Sequence, residues 1–245
     1  MLLNQRTEGF IFRRENRLEA DSVLSIFTKD FGRIEILAKA LRKINAKLRS
    51  GSELFSFSEI EFIQGKNQKT LTDAMVISRF PSISISPEKR QTAYAMADVL
   101  DSLIKGQEPD DNLLNLVITT YEKLDSLAVE KRFLVFEYFF WNLLDILGYK
   151  PELSCCSLCR ANLVPESIYF SFKDGGLICH RCAISIYDKI KVHQDIIKCY
   201  RLFLKREIDL LERLKIESNL QKKFREISAQ YYRYIASHPL SQVNH

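Results

Sequence analysis

The chain has 245 residues, 46% of them hydrophobic, enough for a sizeable core in one large domain or two smaller ones. With only 8 Gly and 6 Pro it is not a low-complexity or disordered chain, and no run is long and apolar enough to span a bilayer. The net charge of +5 conceals a basic 1–80 (14 basic and 10 acidic side chains), an acidic 81–150 (7 and 11) and a basic 183–245 (12 and 7), a pattern that suits a polyanion contacted by the two ends, although a solvated surface reads the same.

Residues 1–80 read as strands. Thr7–Arg14, Asp21–Lys29 and Arg33–Ala40 are short runs rich in Ile, Val and Phe, with Asp30-Phe31-Gly32 as a tight turn between the second and third. In a fourth run Phe55 and Phe57 hold one phase and Ile60 and Phe62 the other, which places a β-bulge at Ser58-Glu59. Gly65 to Gln68 turns the chain into a fifth run, Thr70–Ile77. Five strands in this length suggest a small barrel such as the OB-fold, with an SH3-like barrel as the alternative.

Helical spacing begins at Ser86-Pro87, a cap and a first-turn proline, and continues through Ala93, Met96, Ala97, Leu100, Leu103 and Ile104. A second helix starts near Asp110-Asp111. A third, Val129 to Leu147, is apolar nearly all round and ends at Gly148, so it is expected at the centre of a helical core. Helices at His193 to Lys215 and Ser218 to Ser237 are expected to pack on the 87–147 helices. Residues 151–182 then form an insertion in a helical domain spanning 81–245, after a barrel domain spanning 1–80.

That insertion holds Cys156-x-x-Cys159 and Cys179-x-x-Cys182, with nineteen residues between the pairs. Four thiolates at that spacing can close a tetrahedron around one structural Zn²⁺ and leave no open position for water or substrate. An alternating strand, Ile168 to Phe172, and the turn Lys173-Asp174-Gly175-Gly176 bring the second pair back to the first. Cys155 could replace Cys156, and His180 could compete as a ligand. Arg160 and Ala183 stand after the pairs, where Gly would give the easiest backbone. Cys199 reads as a packed side chain in an apolar helix. The segment after Met1 becomes charged by Arg6 without an apolar signal core. A cytoplasmic chain is expected, in which paired thiols favour metal over disulfide.

Lys39, Arg42, Lys43, Lys47 and Arg49 crowd into eleven residues with no acid among them. On a barrel rim such side chains suit phosphate contact, each displacing a condensed counterion. Arg13, Arg14 and Arg17 extend that face, and Phe31 either stacks on a base or is buried. No Gly-rich phosphate loop, nucleophile elbow, catalytic His pair or acidic cluster for Mg²⁺ is present, so a nucleotide cofactor and an enzyme are not expected.

Several stretches, in order, resemble the RecO family of bacterial recombination mediators: Gly9-Phe10-Ile11 with Arg13-Arg14; Glu19-Ala20-Asp21, Leu24 to Thr28 and Gly32; Ala38 to Lys43; and Leu144, Leu147-Gly148-Tyr149, Pro151 and Leu153 running into the first Cys pair. Phe170, Gly175-Gly176 and the second pair complete the likeness. Members usually carry Gly where Ala40 stands, and often Gly at the position of Arg160. The resemblance implies an N-terminal OB-fold, a helical domain with a zinc insertion, binding of single- and double-stranded DNA, annealing of complementary strands and help in loading RecA. Implied partners are RecR, RecF in some systems, and the acidic C-terminal tail of single-stranded DNA-binding protein, which the helices carrying Arg201, Lys205 and Arg206 could receive. A nucleoid-associated location in the cytoplasm follows. The alternative is a zinc-ribbon transcription or RNA-binding factor, which would need sequence preference.

Overall fold

The structure, a computed structural model, describes residues 4–17, 20–42, 48, 50–104, 106 and 108–238, apart from the side chain of Glu166. It is mixed α+β, with five strands first: β1 (Asn4–Arg17), β2 (Asp21–Thr28), β3 (Gly32–Ala38), β4 (Ser56–Gln64) and β5 (Lys69–Arg79). They close into a barrel in the order β1-β2-β3-β5-β4. All pairings are antiparallel except β3 with β5, a short parallel contact of Ile36 with Lys69 and Leu37 with Thr70. Ile11, Leu24, Ile26, Ile36, Ile60 and Phe62 fill the interior.

The β2–β3 turn is built as its sequence demands. Gly32 takes φ +61°, the left-handed value that glycine adopts without a Cβ clash. Thr28 Oγ1 donates to Gly32 O at 2.8 Å and accepts from Phe31 N at 3.2 Å. Phe31 is half-buried and sets its edge against Phe62, with ring centroids 5.4 Å apart, so it packs into the barrel. The bulge expected at Ser58-Glu59 is not in that strand. β4 alternates without a slip, with Ser58, Ile60 and Phe62 inward and Phe57 and Glu59 half-buried on the other face. The register shifts instead leave Thr72 and Ile77 of β5 unopposed. Small Ser58 fits the crowded interior where a phase reading of Phe57 required a kink.

Three helices follow: α1 (Pro81–Ile85), α2 (Pro87–Leu103) and α3 (Asp111–Ser126). Ser86 caps α2 by accepting from Lys89 N at 3.3 Å, and Asp110 caps α3 by accepting from Asn112 N and Leu113 N at 2.8 and 3.1 Å. Tyr121 of α3 packs its ring on Phe10 of β1 and donates its hydroxyl to Ala93 O at 2.7 Å. Buried Lys89 is satisfied by Ser82 Oγ at 2.8 Å and Asp125 O at 2.7 Å.

The chain divides into two compact units, residues 1–132 and residues 133–245. α1 to α3 share the first unit with the barrel, where the aromatic contacts of Phe10, Phe55 and Phe80 with Tyr121 tie α3 to the strand region.

In the second unit α4 (Arg132–Ile146) is buried along nearly its whole length. A hairpin of β6 (Ile168–Ser171) and β7 (Gly176–Cys179) leads into a short α5 (His180–Ala183), a third strand β8 (Lys189–Lys191), then α6 (Gln194–Phe203), α7 (Leu210–Arg213) and α8 (Ser218–Ser237). The sheet order is β7-β6-β8. Trp141 of α4 is wholly buried and gathers Phe170, Tyr200 and Tyr231 around its ring, at centroid distances of 6.2, 4.1 and 5.7 Å. The single helix expected over His193 to Lys215 is broken. Hydrogen bonds from Lys205 N to Leu202 O and Arg206 N to Phe203 O tighten the turn, and Arg206 adopts φ +61° while its guanidinium reaches Asp145 at 3.1 Å.

Candidate functional site

The Sγ atoms of Cys156, Cys159, Cys179 and Cys182 all lie within 4.8 Å of one another, and those of Cys159 and Cys179 are 3.7 Å apart. A tetrahedron of thiolates about 2.3 Å from a metal requires sulfurs about 3.8 Å apart, whereas a disulfide requires about 2.05 Å. All six cysteines are free. The donor set is compatible with a thiophilic metal.

The backbone prepares these sulfurs. Arg160 N donates to Cys156 O at 2.9 Å, closing the first knuckle, and Ser157 N donates to Leu177 O at 2.8 Å, tying that knuckle to β7. Cys179 N points at Cys156 Sγ, 3.4 Å away. Desolvation pushes the Cys156 thiol up, but backbone N–H groups of Cys159, Cys179 and Leu158 outweigh it and bring it down to about 6. Cys182 is pushed up, to about 12, by its hydrogen bond with Cys159, by desolvation and by its other sulfur neighbours. Four mutually repelling thiolates are stable together only around a cation. Arg160 takes φ +61° after the first pair, the conformation that glycine adopts most easily, while its guanidinium bonds Glu152 at 3.0 Å. Gly176 is required for a different reason: a Cβ there would lie 2.6 Å from Glu152 O, in the bridge that lays residue 152 beside the hairpin. Cys155 is half-buried, 3.9 Å from Arg160 Nη1, and His180 is exposed near the Tyr169 ring; neither joins the set of four. Cys199 is buried in α6, and burial raises its thiol to about 11.

On the barrel, Ala38 and Leu41 turn inward, which leaves Lys39 and Arg42 exposed on the outside. The chain is held there by Ala40 N bonding Asp21 Oδ1 at 2.7 Å and Arg42 N bonding Ala20 O at 3.1 Å. Ala40 sits at φ +53°. Lys43, Lys47 and Arg49 lie outside the described residues. Arg14 and Arg17 are exposed on β1. Arg13 is not a bare cation: it bonds Asp101 of α2 at 2.5 Å and Glu15 at 2.9 Å, and these acids raise its pKa. Arg33 bonds the same Asp101 at 2.6 Å and donates to the Ile104 carbonyl at 2.8 Å, at the end of α2. Sequence reading missed Asp101, which stands 88 positions from Arg13. Of the cations expected to meet an acidic tail, Arg201 is bound to Leu153 O and Arg206 to Asp145, while Lys205 is exposed.

Barrel, helices and thiol cluster define an α+β protein with a five-stranded N-terminal barrel and a helical C-terminal part that carries a metal-competent centre. The family model "Recombination protein O N terminal" matches residues 1–80, and "Recombination protein O C terminal" matches residues 86–242. The chain belongs to the recombination protein O (RecO) family. It is 31% identical over 215 residues to the DNA repair protein RecO of Dehalococcoides mccartyi, covering 88% of this chain and 84% of that one. It is also 28% identical over 228 residues to the protein of the same name from Alkaliphilus metalliredigens, covering 92% and 91%. No helix among the described residues is long and apolar enough to cross a membrane.

Proposed function

We propose that this chain is a non-catalytic mediator of DNA repair and recombination. It binds single- and double-stranded DNA, anneals complementary strands and helps load RecA. The observation that carries this reading is family membership across both units, with relatives named as DNA repair proteins over nearly their full length. The barrel acts as an OB-fold whose basic side chains, Lys39, Arg42, Lys43, Lys47 and Arg49 of one segment together with Arg13 and Arg14 of β1, neutralise phosphates. Two strands gathered on one cationic surface repel each other less and pair faster. Cys156, Cys159, Cys179 and Cys182 hold a structural Zn²⁺, a full thiolate shell that supplies architecture and no open coordination site. RecR, RecF in some systems, and the tail of single-stranded DNA-binding protein are the protein partners, and the site of action is the nucleoid.

The test is annealing of complementary oligonucleotides across a salt series, with and without a chelator. Five phosphate contacts give a log–log slope of about −3.5 on single strands. Replacing Lys39, Arg42 and Lys43 by Gln should flatten it by about 2. An unchanged slope removes this patch from the interface, and a parent protein that neither binds nor anneals at low salt removes the reading.

A further inference from the structure

The cysteine module carries apolar and aromatic side chains that its own fold does not use. Tyr187 is wholly exposed at 103% and Ile184 is 76% exposed, both just beyond the second Cys pair. From Tyr187 the chain enters β8, where Ile190 is buried and Lys189 and Lys191 take the opposite phase of the strand. β8 is the outer strand of the order β7-β6-β8, so its far edge has no strand beside it among the described residues. Lys191 then lines an open cleft of about 490 Å³ together with His193, Gln194 and Lys223, over Pro165 and Val192. Residues 180–193 include three cations, Arg181, Lys189 and Lys191, against one acid, Asp188. Tyr187 to Lys191 spans at most about 13 Å, the reach of a few nucleotides.

We infer that the strip from Ile184 and Tyr187 along β8 to the Lys191–Lys223 cleft is a second contact surface for single-stranded nucleic acid, separate from the barrel rim. This rests on the DNA-binding reading above. Tyr187 offers a π-face to an unpaired base, with Ile184 as apolar support, and the phosphates run towards Lys191 and Lys223. Lys223 is tied to Glu226 only by an exposed pair at 2.9 Å, a bond that phosphate can displace. The bare ring next to a cationic track selects the ligand class. A protein partner anchors its aromatic and apolar side chains in concave pockets; Tyr187 is not among the side chains that line the Lys191–Lys223 cleft, and a base needs only an exposed ring plus a cationic track. An annealing protein needs a hold on more than one strand, and this strip supplies one in the other unit.

The experiment uses the full chain, fluorescent oligo(dT) and a duplex of equal length, with Tyr187→Ala, Tyr187→Trp and the double substitution Lys191→Gln with Lys223→Gln. Loss of one stacked base should weaken oligo(dT) binding about 5- to 150-fold in Tyr187→Ala. Duplex binding should hold, because paired bases cannot stack on the tyrosine, and Tyr187→Trp should restore oligo(dT) binding. The double lysine variant should lower the single-strand salt slope by about 1.4. A 5-iodouracil oligonucleotide should photo-crosslink at Tyr187. A parent protein that binds oligo(dT) normally while Tyr187→Ala matches it overturns this surface and leaves the barrel reading standing. A parent that binds no oligonucleotide overturns both. An acidic peptide whose binding needs Tyr187, with oligo(dT) binding unchanged in the variant, assigns the strip to a protein partner and overturns the inference.

Discussion

Glu137 is wholly buried in α4, where Oε2 accepts from Ser228 Oγ at 2.5 Å and Trp141 Nε1 at 3.3 Å, while Oε1 has no partner. Burial lifts its pKa from 4.5 to about 7, against the downward pull of Ser228, Trp141 and Arg225. The unfolded chain releases this proton near pH 4.5 while the folded chain keeps it to about 7. Stability is therefore greatest below that window, falls as pH rises through it and levels off above. The loss from this one group is on the order of 3 kcal/mol. Glu137→Gln should remove that slope and be the more stable protein at pH 8, as read from urea midpoints at several pH values; equal slopes for variant and parent would rule the account out. The sequence offers only an acid in an apolar helix, because Ser228 lies 91 positions away. Arg160 is the converse case, legible beforehand as a residue where glycine suits the knuckle and found at φ +61°. Arg160→Gly should relieve about 1 kcal/mol of backbone strain, while the ion pair it gives up with Glu152 is exposed and screened by solvent. Metal release to a chelator should slow; faster release would mean that the Glu152 pair matters more than the strain.

The elements that were legible are those announced by local chemistry. Ser86-Pro87 and Asp110 mark the starts of α2 and α3 because an oxygen and a missing N–H satisfy helix ends within a few residues of chain. Asp110→Ala should cost about 1 kcal/mol in thermal or urea unfolding, and a change near zero would show that Asp111 takes over the cap. Elements decided by distant contacts were not legible. The break between α6 and α7 coincides with left-handed backbone at Arg206, whose guanidinium bonds Asp145 61 positions away, and β8 pairs along the edge of β6. In the β4–β5 pair the extra residues fall on β5 and not at Ser58-Glu59, because registry is fixed by the neighbouring strand and not by phase within one run. Gly176→Ala tests the hairpin as a unit. The new methyl group would press on the Glu152 backbone and destabilise the module by about 1–3 kcal/mol. A weakened metal content in the purified variant would follow, and undiminished content would show that residue 152 can move aside.

For the molecule as a whole, metal removal is the decisive perturbation. On the proposed metal-bound reading, stripping the ion lets the thiolates take up protons and removes the bonds that tie the two cysteine pairs together, so residues 151–191 should become open to proteolysis while the barrel strands stay protected. Mapping the first cleavage sites after chelation checks this; equal protection with and without chelator would mean that packing around Phe170 and Trp141 suffices to hold the module. By itself the sequence determined a strand-rich start, a helical remainder, the two cysteine pairs and the hairpin between them, because ligand spacing, turn residues and caps act over short stretches of chain. Only the tertiary structure decided that the first three helices belong to the barrel's unit, that Asp101 occupies Arg13, that Tyr187 stands bare, and that Lys191 and Lys223 line one cleft. Burial and ion pairing depend on which distant segments meet, and no local pattern records that meeting.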